Sequence, residues 1–133
     1  MGMLVRMDLV RIVIMETEDQ QVIVLRERDG DRAFPIMIGT YEALAIDRRI
    51  KGQIPERPMT HDLFASVLAG LDATLEKIVI SELRERTFFA KLLIRRNGEV
   101  IEVDSRPSDA IALGSAMQTP IYVDDEVLDE VCY

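Results

Sequence analysis

One cysteine occurs in these 133 residues, and as Cys132 it is next to last, so neither an internal disulfide nor a cysteine metal cage can form. That suits a reducing compartment, and the expectation is a cytoplasmic protein. Long apolar runs are missing too. Arg6, Asp8 and Arg11 interrupt the apolar start before a signal-peptide core or a membrane span can accumulate, which predicts a soluble chain with no membrane partner. Tryptophan is absent and aromatics make up 5%. Phe34, Tyr41, Phe88, Phe89 and Tyr122 all lie inside strand or helix patterns, which gives no obvious platform for stacking bases. No P-loop, GxGxxG, HExxH or paired CxxC is present, so nucleotide hydrolysis, dinucleotide binding and zinc proteolysis have no support. Positive charge is the minority sign, with 16 Lys and Arg against 24 Asp and Glu and a net charge of -8. That argues against a simple electrostatic binder of nucleic acid. The deficit is uneven, because Asp124, Asp125, Glu126, Asp129 and Glu130 crowd the C-terminal segment.

What is present is core material. Hydrophobic residues make up 48%, enough for one domain over 1–133 and too little chain for two ordinary ones. Residues 7–15, 20–27 and 33–38 read as three successive strands separated by polar turns, with Pro35 expected at a strand start or on an unpaired side. Ala43, Leu44, Ile46 and Ile50 follow at helical spacing after Gly39-Thr40, with Thr40 as the cap. Residues 52–59 form a loop, and a second helix opens at Thr60-His61-Asp62. Strands are expected over 72–82, 87–96 and 99–104, the last two joined by the Asn97-Gly98 hairpin turn. A helix then runs to about Met117, followed by a short edge strand over 120–123 and an acidic helical turn.

Strand, strand, strand, helix thus occurs twice. Ile12-Val13-Ile14 matches Ile78-Val79-Ile80, and Glu42-Ala43-Leu44-Ala45-Ile46 matches Asp109-Ala110-Ile111-Ala112-Leu113. The reading is an α+β fold built from a duplicated β-β-β-α unit, with repeats at about 7–71 and 73–123 and a mixed or antiparallel sheet covered by helices.

The densest polar stretch is Asp104-Ser105-Arg106-Pro107-Ser108-Asp109, where a strand pattern gives way to a helical one. Pro107 suits a first helical turn, and free N–H groups there favour a carboxylate or a phosphate. Ser105 as cap and Asp109 answering the helix dipole account for most of it structurally. Arg106 is left over, because a guanidinium caps poorly and belongs beside a carboxylate or a phosphate. Glu42 and Asp109 hold equivalent first-turn positions in the two repeats, and Asp62 holds a similar one beside His61. Singly, each is an ordinary helix-start acid. Together with Asp104 they form a candidate carboxylate set for Mg²⁺ or Mn²⁺. His61, the single histidine, is a candidate proton carrier because imidazole titrates near neutrality, although no nucleophile motif accompanies it.

Four ordered segments also resemble the bifunctional nuclease domain family. They are Phe34-Pro35-Ile36-Met37-Ile38-Gly39 with Glu42-Ala43 and Ala45-Ile46, then Arg57-Pro58-Met59-Thr60-His61-Asp62-Leu63, then Thr87-Phe88-Phe89-Ala90, and last Asp104 through Leu113. Ser105 stands where the family usually has alanine. The resemblance implies a duplicated α+β fold, a homo-oligomer, and metal-assisted cleavage of RNA and DNA. On that reading Glu42, Asp62, Asp104 and Asp109 are oxygen ligands, Arg57 and Arg106 bind the phosphate, and His61 donates a proton to the leaving oxygen. The competing expectation is a non-catalytic regulatory or assembly module, in which Arg106 merely ties the repeats together and a groove binds a protein or small anion.

Overall fold

A computed structural model describes residues 3–132. Seven strands form one sheet in the order β3-β2-β1-β7-β4-β5-β6. The first meander comprises β1 (Leu4–Val13), β2 (Gln20–Glu27) and β3 (Ala33–Gly39), all antiparallel. Helices α1 (Thr40–Ile50) and α2 (Thr60–Gly70) follow. The second meander is β4 (Thr74–Arg84), β5 (Thr87–Arg96) and β6 (Glu99–Ser105), again antiparallel, and it leads into α3 (Pro107–Met117). The chain ends with β7 (Ile121–Asp124) and α4 (Asp125–Val131). The class is therefore α+β, with a mixed sheet and helices packed on it. Element order repeats, which is not by itself proof of duplicated sequence.

One strand lies elsewhere than expected. Residues 120–123 suggested an edge, yet β7 is central, antiparallel to β1 and parallel to β4. Its Val123 is wholly buried. A strand of four residues reads as an edge because it is short, but here it only has to bridge two longer neighbours that supply the rest of the core. The true edges are β3 and β6. Pro35 accordingly sits on β3, where a missing N–H costs no second ladder. The first strand also begins and ends earlier than its apolar run. Gln21, almost fully buried, closes its end by accepting from the Met15 N–H and donating to the Met15 carbonyl. The cap of α1 is Gly39 rather than Thr40, whose hydroxyl instead donates to the Asp19 carbonyl at 3.2 Å.

The sheet curls strongly. Phe34 on β3 and Phe88 on β5 place their ring centroids 5.6 Å apart, although four strands lie between β3 and β5 in the sheet order. In a flat sheet those strands would be about 24 Å apart at ~4.8 Å per step. The curl wraps around α3, which packs against β3, β4 and β5 on one side and against α1 and α2 on the other. Five of its seven buried residues are small for that reason, Pro107, Ser108, Ala110, Ala112 and Gly114, beside the larger Ile111 and Leu113. A Cβ on Gly114 would collide with Ile78 Cδ1. Burying this helix fixes where its N-terminus, and so Arg106 and Asp109, emerges among the others.

Candidate functional site

Three helix starts meet at one corner of the molecule. Arg106 is the N-cap residue of α3 and has an extended backbone, so its side chain leaves the helix axis at the point where β6 ends. Its Nε donates to Asp109 Oδ2 at 2.9 Å, and its Nη2 donates to Glu42 Oε1 on α1 at 3.1 Å. Asp109 spends its other oxygen on His61 of α2, with Nε2 to Oδ1 at 3.1 Å. A carboxylate only accepts, so Nε2 carries the hydrogen and Nδ1 keeps the lone pair in the neutral ring. Glu42 is buried, and its carboxylate lies against Gly39, where a Cβ would come within 2.7 Å of Oε1.

A second contact closes the circuit. Arg49, seven residues after Glu42 and on the same side of α1, donates through Nη2 to Asp62 Oδ1 at 2.7 Å. Asp62 Oδ2 also accepts from the Met59 N–H at 3.1 Å, a helix-start cap. Partial burial pushes the Asp62 carboxyl upward. The Arg49 hydrogen bond, the Met59 N–H and the nearby Arg49 and Arg48 charges outweigh that and hold it below its ordinary 3.8. The hydrogen bond and charge of Asp109, with a smaller part from Glu42, raise the Arg106 guanidinium above its already high value. Polar contacts thus run from α1 to α3 and from α2 back to α1 as ion pairs, and from α3 to α2 as the Asp109–His61 hydrogen bond.

Glu42, His61, Arg106 and Asp109 are therefore brought together, with Asp62 beside them in a separate pair. Asp104 is not part of this group. It is exposed on β6 opposite Lys91 of β5 and has no side-chain hydrogen bond among the described residues. Arg57 is exposed in the loop before α2, also without an ion pair among the described residues. Arg49 is the participant that sequence reasoning missed, because Arg48-Arg49 reads as solvated helix surface. Its spacing of two turns from Glu42 was the available signal.

The donors present do not fit a divalent-ion centre as they stand. Glu42 and Asp109 are occupied by Arg106, Asp62 is occupied by Arg49, and Asp104 is exposed on β6 with no contact to them among the described residues. No group of three or more His, Cys, Asp or Glu suited to a metal occurs among the described residues. What the arrangement can do is hold an imidazole in one orientation and present a guanidinium beside it. The Arg106 side chain is 67% exposed, and its Nη1 makes no hydrogen bond with the described residues. His61 lines a cleft of about 200 Å³ with Tyr41, Arg48, Arg49 and Asp62. Arg106 lines a separate, larger groove.

A curled α+β domain with a histidine, an aspartate and an exposed arginine linked at a helix junction defines a class of small domains equipped for anion and proton chemistry. Comparison with known proteins narrows it: the bifunctional nuclease domain profile matches residues 23–133. The chain belongs to the bifunctional nuclease domain family. Two curated Mycobacterium tuberculosis proteins, from strain CDC 1551 / Oshkosh and strain ATCC 25618 / H37Rv, are each 43% identical to it over 119 residues. Each alignment covers 90% of this chain and 71% of the relative, and both relatives are named only as uncharacterized proteins. No helix among the described residues is long and apolar enough to cross a membrane.

Proposed function

We propose that the chain hydrolyses phosphodiester bonds of RNA or DNA at the α1–α2–α3 junction. The observation that carries this reading is the His61–Asp109–Arg106 chain of contacts, whose His61 end lines a cleft. Asp109 fixes the His61 tautomer and orientation, leaving Nδ1 to exchange a proton with the attacking or leaving oxygen. Arg106 offers its free Nη1 to a phosphate oxygen, where a planar guanidinium matches the anion better than an ammonium does. Glu42 holds that guanidinium from below. Membership of a nuclease family supports the phosphodiester assignment.

The test is cleavage of labelled RNA and DNA oligonucleotides by highly purified protein, with and without EDTA, beside Asp109→Ala. Loss of the histidine's orienting partner is expected to lower the rate about 100-fold or more, in the range of acid–base contributions. A rate that survives EDTA agrees with the donor arrangement. A rate abolished by EDTA would contradict a metal-free role for these donors. Equal rates for wild type and Asp109→Ala would remove the reading.

A specific observation favours one alternative. The contacts among the three helices form a closed ring, as expected of a clasp in a non-catalytic assembly module. On that reading Arg106→Ala lowers stability and no cleavage is found. Self-association of copies belongs to both readings, and α2 offers a surface for it.

A further inference from the structure

The curl of the sheet leaves a groove of about 450 Å³ that Arg106 lines and His61 does not. Its walls are the end of edge strand β3, the turn between β4 and β5, and the start of α3. Twelve residues line it; two are arginines, Arg86 and Arg106, and none is acidic. Arg106 is already paired with Glu42 and Asp109 outside the lining, so Arg86 supplies the unpaired positive charge, in a chain of net charge -8. Arg84, one strand position before the turn, is paired with Glu82 at 2.7 Å, whereas Arg86 has no ion pair among the described residues. Apolar surface lies alongside, with Met37 62% exposed and Phe88 half-buried.

Arg86 also sits in an unusual backbone. Glu85 and Arg86 have φ of 48° and 67°, so both central residues of the β4–β5 turn are left-handed. Asn97-Gly98 solves the same problem one hairpin later with the residues that tolerate it, at φ 53° and 79°. An arginine where glycine is the relaxed choice keeps a guanidinium at the groove at some cost in strain.

We propose that this groove binds the backbone of a single-stranded nucleic acid, with Arg86 and Arg106 on successive phosphates and a base against Met37 and Phe88. The proposal rests on the nuclease reading and deepens it by naming the substrate form and the path to the reaction centre. Cations beside an apolar wall match phosphate and unstacked base together, the combination that single strands present. The volume holds about one drug-sized ligand, which admits a nucleotide or two and not a duplex. Arg106 is shared, so a phosphate on it lies next to the Asp109–His61 pair.

The experiment uses the full chain, a fluorescent oligonucleotide of about 12 nucleotides and its duplex. Anisotropy reads binding, and a denaturing gel of the same samples reads cleavage. Arg86→Gly removes the guanidinium while relaxing the turn, so melting temperature should hold or rise. Single-strand affinity should fall about tenfold, and the slope of log affinity against log salt should shrink by about 0.7 for one lost phosphate contact. Arg86→Lys should retain most of the slope. Binding that depends on Arg86 without any cleavage supports the groove and removes the nuclease reading. Affinity unchanged in Arg86→Gly overturns the proposal. So does a duplex bound as tightly as the single strand, or an acidic phosphopeptide bound more tightly than either.

Discussion

At the scale of single residues, glycine and aspartate show how tightly the site's position is specified. Gly114 lets α3 sit directly on β4, because a methyl group would strike Ile78. Gly114→Ala is expected to destabilise the fold by about 1–3 kcal/mol, the usual cost of overpacking a core, measured by urea denaturation. Asp62 adds a charge-dependent term. Its carboxyl is held below 3.8 in the folded chain, so the stability it contributes is present above that value and lost as pH falls through the folded one. Asp62→Asn should therefore cost about 1 kcal/mol at neutral pH, given a partly buried ion pair with Arg49 and a helix cap. The gap should narrow below about pH 4 as the wild-type carboxyl protonates. A gap that persists unchanged at low pH would contradict the assigned role of charge. Residues of this kind were only partly legible in the sequence. Arg106 stood out because it is a poor cap, but its long-range partner could not be read, since Glu42 lies 64 positions away, nor could the histidine on Asp109, since His61 lies 48 positions from it.

Elements were more legible than contacts. Seven strands and four helices follow from apolar periodicity, turn residues and Pro107, because those signals are local. The Glu85-Arg86 turn carried no glycine or asparagine, so its left-handed backbone was hidden. The place of β7 was hidden too, because strand order depends on which core faces match and not on strand length. Helix α2 shows what an element can leave undone. It buries Leu68 and exposes Leu63, Phe64, Val67 and Leu71 to roughly half their area. A stripe of that kind suits a second copy better than water. If copies associate through it, Phe64→Glu should shift the sedimenting species to monomer with little change in melting temperature. A wild-type chain that sediments as a monomer at all concentrations would contradict this surface.

On the scale of the whole molecule, topology decides what the acidic helix starts can do. The curled sheet encloses α3 and brings the beginnings of α1, α2 and α3 to one corner, which is the convergence the repeated pattern suggested. It does not gather four free carboxylates. Two arginines intervene, and Asp104 remains outside on β6. Which carboxylates an arginine pairs with is invisible in a sequence, and Arg49 read as solvated helix surface until Asp62 was placed beside it. The resulting site orients an imidazole and exposes a guanidinium in a molecule whose net charge repels nucleic acid, so any affinity must be local. The most direct test is the cleavage rate of His61→Ala against wild type, in preparations shown by circular dichroism and melting temperature to be equally folded. The account predicts a rate lower by about 100-fold or more for RNA and DNA alike. A variant that cleaves at the wild-type rate would contradict it.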